Sequence, residues 1–98
     1  MNPIKVDRNN IKKLTDLPNI GKAAAADLAV LGIHSPNDLI QRDALTLYND
    51  LCHITQAKHD PCVIDVFISV IRFMQGEPAR PWWKYTPERK QMLSNLGN

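Results

Sequence analysis

The sequence is poor in the residues that let a small domain stand without a core. It has two cysteines in 98 residues, too few for a disulfide framework, so Cys52 and Cys62 are expected to be reduced interior thiols. Glycine is nearly as scarce, at four residues, which excludes collagen-like and low-complexity chains. No apolar run approaches the ~18 residues that a bilayer-spanning helix needs. The opening MNPIKVDRNN lacks the continuous apolar stretch of a signal peptide. The expected location is therefore the cytoplasm, with no membrane partner.

What is present is an ordinary globular composition, 44% hydrophobic and 22% charged. A chain of this length buries roughly 60–65% of its unfolded surface, enough for one core without a structural metal, so a single domain over 1–98 is expected. The net charge of +2 hides an uneven distribution. Residues 1–22 carry Lys5, Arg8, Lys12, Lys13 and Lys22 against Asp7 and Asp16, and residues 72–98 carry five basic residues against Glu77 and Glu88. The stretch between them holds Arg42 and Lys58 against six aspartates. Two basic ends around an acidic middle suit an anionic partner at one face, although such charges also simply solvate a surface.

Helical spacing dominates. Asp7 can cap a first helix over 8–16 with Ile11, Leu14 and Leu17 on its apolar side. A second helix over 22–31 buries Ala25, Leu28 and Leu31 and stops at Gly32. Ser35, Pro36 and Asp38 start a short third helix, and Asp43 starts a fourth in which Leu47, Leu51 and Ile54 face inward with Tyr48. In the fifth, Asp60-Pro61 precedes CVIDVFISVIRFM, so rich in β-branched residues that a strand competes. Asp65, Ser69 and Arg72 decide for a buried helix, because they form one narrow stripe at i, i+4 and i+7. GEPARP at 76–81 is an extended strap, since Pro78 and Pro81 exclude a helix. Thr86 and Pro87 open a last helix, apolar through Met92, Leu93 and Leu96, which frays at NLGN.

The stretch LPNIGKAAAADLAVLGI at 17–33 carries the functional signal. A tight turn between two helices sets free backbone N–H groups side by side at the second helix's N-terminus, where the helix dipole favours an anion, and a phosphate is the natural occupant. Gly21 supplies small size and tolerance of positive φ, and Asn19 enters the left-handed region more readily than other side chains. Ile20 is predicted to point inward and pin the turn, with Lys22 beside the amides. The competing reading is a tight connection followed by closely packed alanines.

The register of Pro18, Ile20, Gly21, Leu28, Gly32 and Ile33 resembles the helix-hairpin-helix motif of DNA-binding proteins, with Asn19 where that motif usually has its first glycine. The resemblance covers 8–33 and implies sequence-independent gripping of a DNA backbone around Asn19, Ile20, Gly21 and Lys22. It also implies a monovalent cation on the carbonyls of Thr15, Leu17 and Ile20. Over nearly the whole chain, LPNIGKAAAADL, Leu47-Tyr48, HDPCVIDVF and GEPARPWWKYTPERK resemble a small bacterial family of pathogenicity-locus proteins, some members of which are called mitomycin resistance proteins. That family is regarded as helix-hairpin-helix-like, and no biochemical activity comes with it. Related folds pair two hairpins, which places a degenerate second unit at 43–75, with a glycine-free loop between its helices.

Other constellations carry less. Cys52, His53, His59 and Cys62 are potential zinc ligands within eleven residues, but only His59 and Cys62 have the two-to-four-residue spacing of a structural site. Cys62, His59 and Asp60 have the residue types of a nucleophile, base and orienting carboxylate, yet Asp60 serves better as a helix cap. Asp65 suits Arg72 or the strap's backbone as a partner. Trp82 and Trp83, beside Arg80 and Lys84, either close the core under the strap, the preferred reading, or stack on unpaired bases.

The expected architecture is all-α, a compact five-helix tandem helix-hairpin-helix-like (SAM-like) domain followed by the Pro/Trp strap and terminal helix over 76–98. The expected function is non-enzymatic, sequence-independent binding of the DNA backbone, with Lys12, Lys13, Lys84, Arg89 and Lys90 adding long-range attraction and no cofactor required. A protein-interaction module built on the same hairpin and Trp82-Trp83 is the alternative, and the chain acts as a monomer or homodimer.

Overall fold

A computed structural model of the chain describes residues 6–96. Lys5 and the fray expected at Gly97-Asn98 lie outside them. Among the described residues the protein is all-α, with four helices linked by short 3₁₀ turns and no strand.

The helix at the centre is the one with the strand-like composition. It spans Cys62–Met74 (here α3) and buries Ile64, Phe67, Ile68, Val70, Ile71 and Phe73 together with Asp65 and Ser69. Asp60 starts it by accepting the amide of Cys62 at 2.8 Å, as a side-chain cap should. Each fully buried apolar side chain here contributes about 1.5–3 kcal/mol, so this helix is the largest single hydrophobic element. Three further helices complete the fold: Ala44–Thr55 (α2) and Thr86–Leu96 (α4) pack on it, and Lys22–Val30 (α1) packs on α2 and the Leu14–Asp16 turn. The third expected helix is a 3₁₀ turn, Pro36–Leu39.

In α2, Asp43 accepts the amide of Thr46 at 2.9 Å, and Leu47, Tyr48 and Leu51 face the core. Ile54 does not: it is 54% exposed, because α2 outruns the core at its last turn. That turn closes without glycine. Gln56 takes the left-handed conformation at φ 52°, letting the Ala57 amide reach the Cys52 carbonyl at 3.1 Å.

The expected first helix over 8–16 is replaced by two 3₁₀ turns, Arg8–Asn10 and Leu14–Asp16. Two aspartates cause this. Asp7 accepts the amide of Asn9 at 2.9 Å, and one Asp16 oxygen accepts the amides of both Lys12 and Lys13 at 3.0 Å. Such local side-chain acceptors compete with the helical ladder. In the second helix only Leu28 is buried, with Ala25 and Leu31 packed at the margin of the core. In α4 no residue is fully buried; Met92 and Leu93 pack against the core and Leu96 is exposed.

Polar side chains of α3 hold the outlying segments in place. Buried Asp65 accepts from Arg89 Nε at 2.9 Å and from Thr86 Oγ1 at 2.6 Å, fastening α4. Arg72, the partner expected for Asp65, instead meets Glu77 of the strap at 3.4 Å and Glu88 of α4. Arg8 lies over the Phe73 ring, 3.9 Å from its centroid, and donates to the carbonyls of Phe73 and Glu77. It thereby ties the start of the chain to the end of α3.

Removing one member of a buried ion pair strands the other. Arg89→Met should therefore cost about 3 kcal/mol in urea unfolding, since Asp65 has no exposure through which to regain water. Asp65→Asn should cost less, because Arg89 lies at the margin and can turn outward. Equal and small losses would show that the pair does not hold α4.

Candidate functional site

The residues 17–24 form the turn that leads into α1. Leu17 and Ile20 are fully buried and Pro18 is buried beside them, so the expected inward anchoring by Ile20 is found. Between these anchors Asn19 adopts φ 67°. Its side-chain amide donates to Ser69 Oγ on α3 at 3.0 Å and to the Arg80 carbonyl in the strap at 2.8 Å. Asn19 therefore directs both side-chain N–H groups into the protein, and what it gives the turn's outer side is the set of its backbone. Ser69 passes the bond on by donating to the Val66 carbonyl at 2.6 Å.

Positive φ belongs to Asn19 and not to Gly21, which is extended at φ −93°. A Cβ at Gly21 would meet nothing within 4 Å, so neither backbone angle nor internal packing demands glycine there. Its bare Cα leaves an open approach to the start of α1. Gly21, Lys22 and Ala23 are exposed. The helical ladder begins with the Ala25 amide donating to the Gly21 carbonyl at 3.0 Å, so the amides of Lys22, Ala23 and Ala24 precede it. No side chain caps this end, and the first turn holds no acidic residue.

Lys12 and Lys13 are exposed on the segment before the turn. The backbone amides that they donate to Asp16 hold its carboxyl below the usual 3.8. Lys84 and Lys90 are also exposed. Arg89, expected among the attracting charges, is engaged by Asp65, which raises its pKa further and neutralises its outward effect. Sequence reasoning missed the link from Asn19 to Arg80. Only the polarity of Ser69 within an apolar helix signalled that something docks there.

The zinc candidates are not gathered. Cys52 and Cys62 are free thiols, half-buried on α2 and α3. His53 is exposed, and His59 Nε2 pairs with Thr55 Oγ1 at 2.8 Å. Among the described residues no group of three or more His, Cys, Asp or Glu is placed to hold a metal ion. Asp60, hydrogen-bonded to Cys62, pushes that thiol's pKa up, the opposite of what activates a nucleophile. The strap also departs from expectation. Tyr85 closes the core, while Trp82 is half-buried and Trp83 is 56% exposed. No helix of the described residues is long and apolar enough to cross a membrane.

Two variants separate conformation from anchoring. Asn19→Gly keeps the left-handed φ but loses both hydrogen bonds, for an expected cost of about 1–2 kcal/mol. Asn19→Ala should cost about 1 kcal/mol more from the positive φ, and unfolding midpoints in that order are the check. A second test uses pH. A carboxyl held below its ordinary value lends stability that is complete above that value and is lost as pH falls through the folded one. Wild-type urea midpoints should therefore drop below about pH 4, and Asp16→Asn, weaker at pH 7, should drop less.

Comparison with known proteins gives the family of the chain. A family profile described as "Pathogenicity locus" matches residues 7–91. A protein of Streptomyces lavendulae named "Mitomycin resistance protein McrB" is 39% identical over 85 residues, covering 87% of this chain and 81% of that protein. No solved structure matches. The turn, the central helix and the strap all fall within the matched region, and the chain belongs to the pathogenicity-locus family.

Proposed function

We propose that this protein binds the DNA backbone without sequence preference, through the turn that opens α1. The observation that carries the reading is the uncapped, exposed helix start at Gly21–Ala23 with Lys22 beside it and no acidic residue in its first turn. Amides ahead of the ladder and the positive end of the helix dipole favour a phosphate there. Lys12, Lys13 and Lys84 add charge without internal ion pairs among the described residues. In this reading the turn is a helix-hairpin-helix in which a 3₁₀ segment stands for the first helix. The segment 43–75 is its degenerate partner in a tandem arrangement. The protein acts in the cytoplasm as a binder and not an enzyme, with any monovalent cation held by the carbonyls of Thr15, Leu17 and Ile20.

Binding of this kind is weak and electrostatic. Affinity for duplex DNA should lie near the non-specific range of about 10⁻⁴–10⁻⁶ M and fall steeply with salt. Lys22→Glu should weaken it at least tenfold at low salt and flatten the salt slope by about one. Gly21→Val should weaken binding with only a small loss of stability, because the added side chain has space and covers the amides but starts a helix less well than glycine. Fluorescence anisotropy with labelled duplex at several salt concentrations is the measurement. Affinity that ignores salt, or that survives Lys22→Glu, defeats the proposal. A second reading, a protein-interaction module using the same turn and the Trp82-Trp83 segment, draws on the exposure of Trp83; a complex with a partner protein and no DNA affinity would favour it.

A further inference from the structure

Trp83 is the one aromatic side chain that the fold leaves mostly in water, at 56% exposure. Its support is rigid. The 3₁₀ turn Trp82–Tyr85 closes through the Lys84 amide on the Pro81 carbonyl at 3.1 Å, Tyr85 is buried in the core, and Thr86 is bonded to buried Asp65 at 2.6 Å. Trp82 braces the exposed ring edge to face, with centroids 5.6 Å apart and planes at 84°. An aromatic face held this way loses little conformational freedom when something covers it.

The surroundings say what would cover it. Lys84 is exposed beside it, and Glu77, the strap's acidic residue, is taken up by Arg72 and Arg80. Within its own turn Trp83 is the one exposed large apolar side chain, the others, Val30, Ile40, Ile54 and Leu96, lying on other elements. The strap also runs against the turn before α1, because Asn19 donates to the Arg80 carbonyl at 2.8 Å. Trp83 follows Arg80 by three residues, a span of at most about 11 Å. An open π face and cations next to a backbone-gripping turn is the combination that binds unpaired nucleotides, the ring taking a base and the charges the phosphates.

We infer that Trp83 is a stacking platform for an unpaired base, so that the preferred ligand is DNA with a single-stranded stretch next to the gripped backbone. Bases inside a uniform duplex are stacked on one another and offer no free face. This inference rests on the backbone-binding reading above.

The test uses the full chain with three labelled oligonucleotides at one salt concentration: a duplex, the same duplex with a single-stranded overhang, and the single strand. Wild type should prefer the overhang to the duplex. Trp83→Ala should abolish the preference, a loss of about 5- to 150-fold, while duplex affinity stays unchanged and the melting temperature falls only slightly with the lost edge-to-face contact. Trp83→Phe, which keeps an aromatic face, should retain most of the preference. Equal wild-type affinity for duplex and overhang, an undiminished preference in Trp83→Ala, or a Trp83→Phe as impaired as alanine overturns the inference. If Lys22→Glu still weakens duplex binding in any of those cases, stacking fails and backbone binding stands. Absence of binding to all three oligonucleotides defeats both.

Discussion

A polar stripe on a helix that is otherwise apolar organises this protein. Asp65, Ser69 and Arg72 stand at i, i+4 and i+7 on α3, and between them they hold α4, the turn before α1 and the strap. Asp65 holds α4 through Thr86 and Arg89, Ser69 holds the turn before α1 through Asn19, and Arg72 holds the strap and α4 through Glu77 and Glu88. Burying a carboxylate without compensation is prohibitive, so these docking positions are specified more sharply than apolar packing alone would specify them. A displaced α4 would leave Asp65 unpaired in the core.

The same stripe brings together two segments that are far apart in sequence. Asn19 bridges Ser69 and the Arg80 carbonyl, 50 and 61 residues away, so the basic start and the basic end of the chain meet at the turn. A glycine there would supply the left-handed backbone but not the bridge. Asparagine at this position thus has a structural reason: it combines tolerance of positive φ with two donors.

Local signals that were strong in the sequence describe the structure well. Asp43, Asp60 and Ser35 mark element starts, Pro78 and Pro81 keep the strap extended, and the stripe distinguishes α3 from a strand. The early chain departs from its helical spacing for a definite reason. The spacing of Ile11, Leu14 and Leu17 is helical, but Asp7 and Asp16 capture amides that a helix would use, and spacing alone does not reveal that competition. Partner choice was equally hidden: Arg72 and Arg89 are both compatible with Asp65 by sequence, and only the path of the strap decides between them. The exposure of Trp83 depends on which of three neighbouring aromatics the core has room for, and Tyr85 fills it.

The distribution of cations gives the candidate surface its character. Arg8, Arg72, Arg80 and Arg89 are all bound to carbonyls or carboxylates of the protein itself, a use that suits a planar guanidinium with several fixed donors. Lysines at 12, 13, 22, 84 and 90 are left to face water, as flexible, strongly hydrated point charges. Internal pairing removes acid and base together, so it changes the net charge little while taking up Glu77 and Glu88, the acidic residues of the later basic stretch. Asp27, Asp38, Asp43, Asp50 and Asp60, by contrast, lie on the stretch between those ends. A modest total of +2 therefore coexists with an outward field that is positive around the exposed lysines of the two flanking stretches and negative along the middle one. Such a field turns a polyanion toward the first before any contact forms.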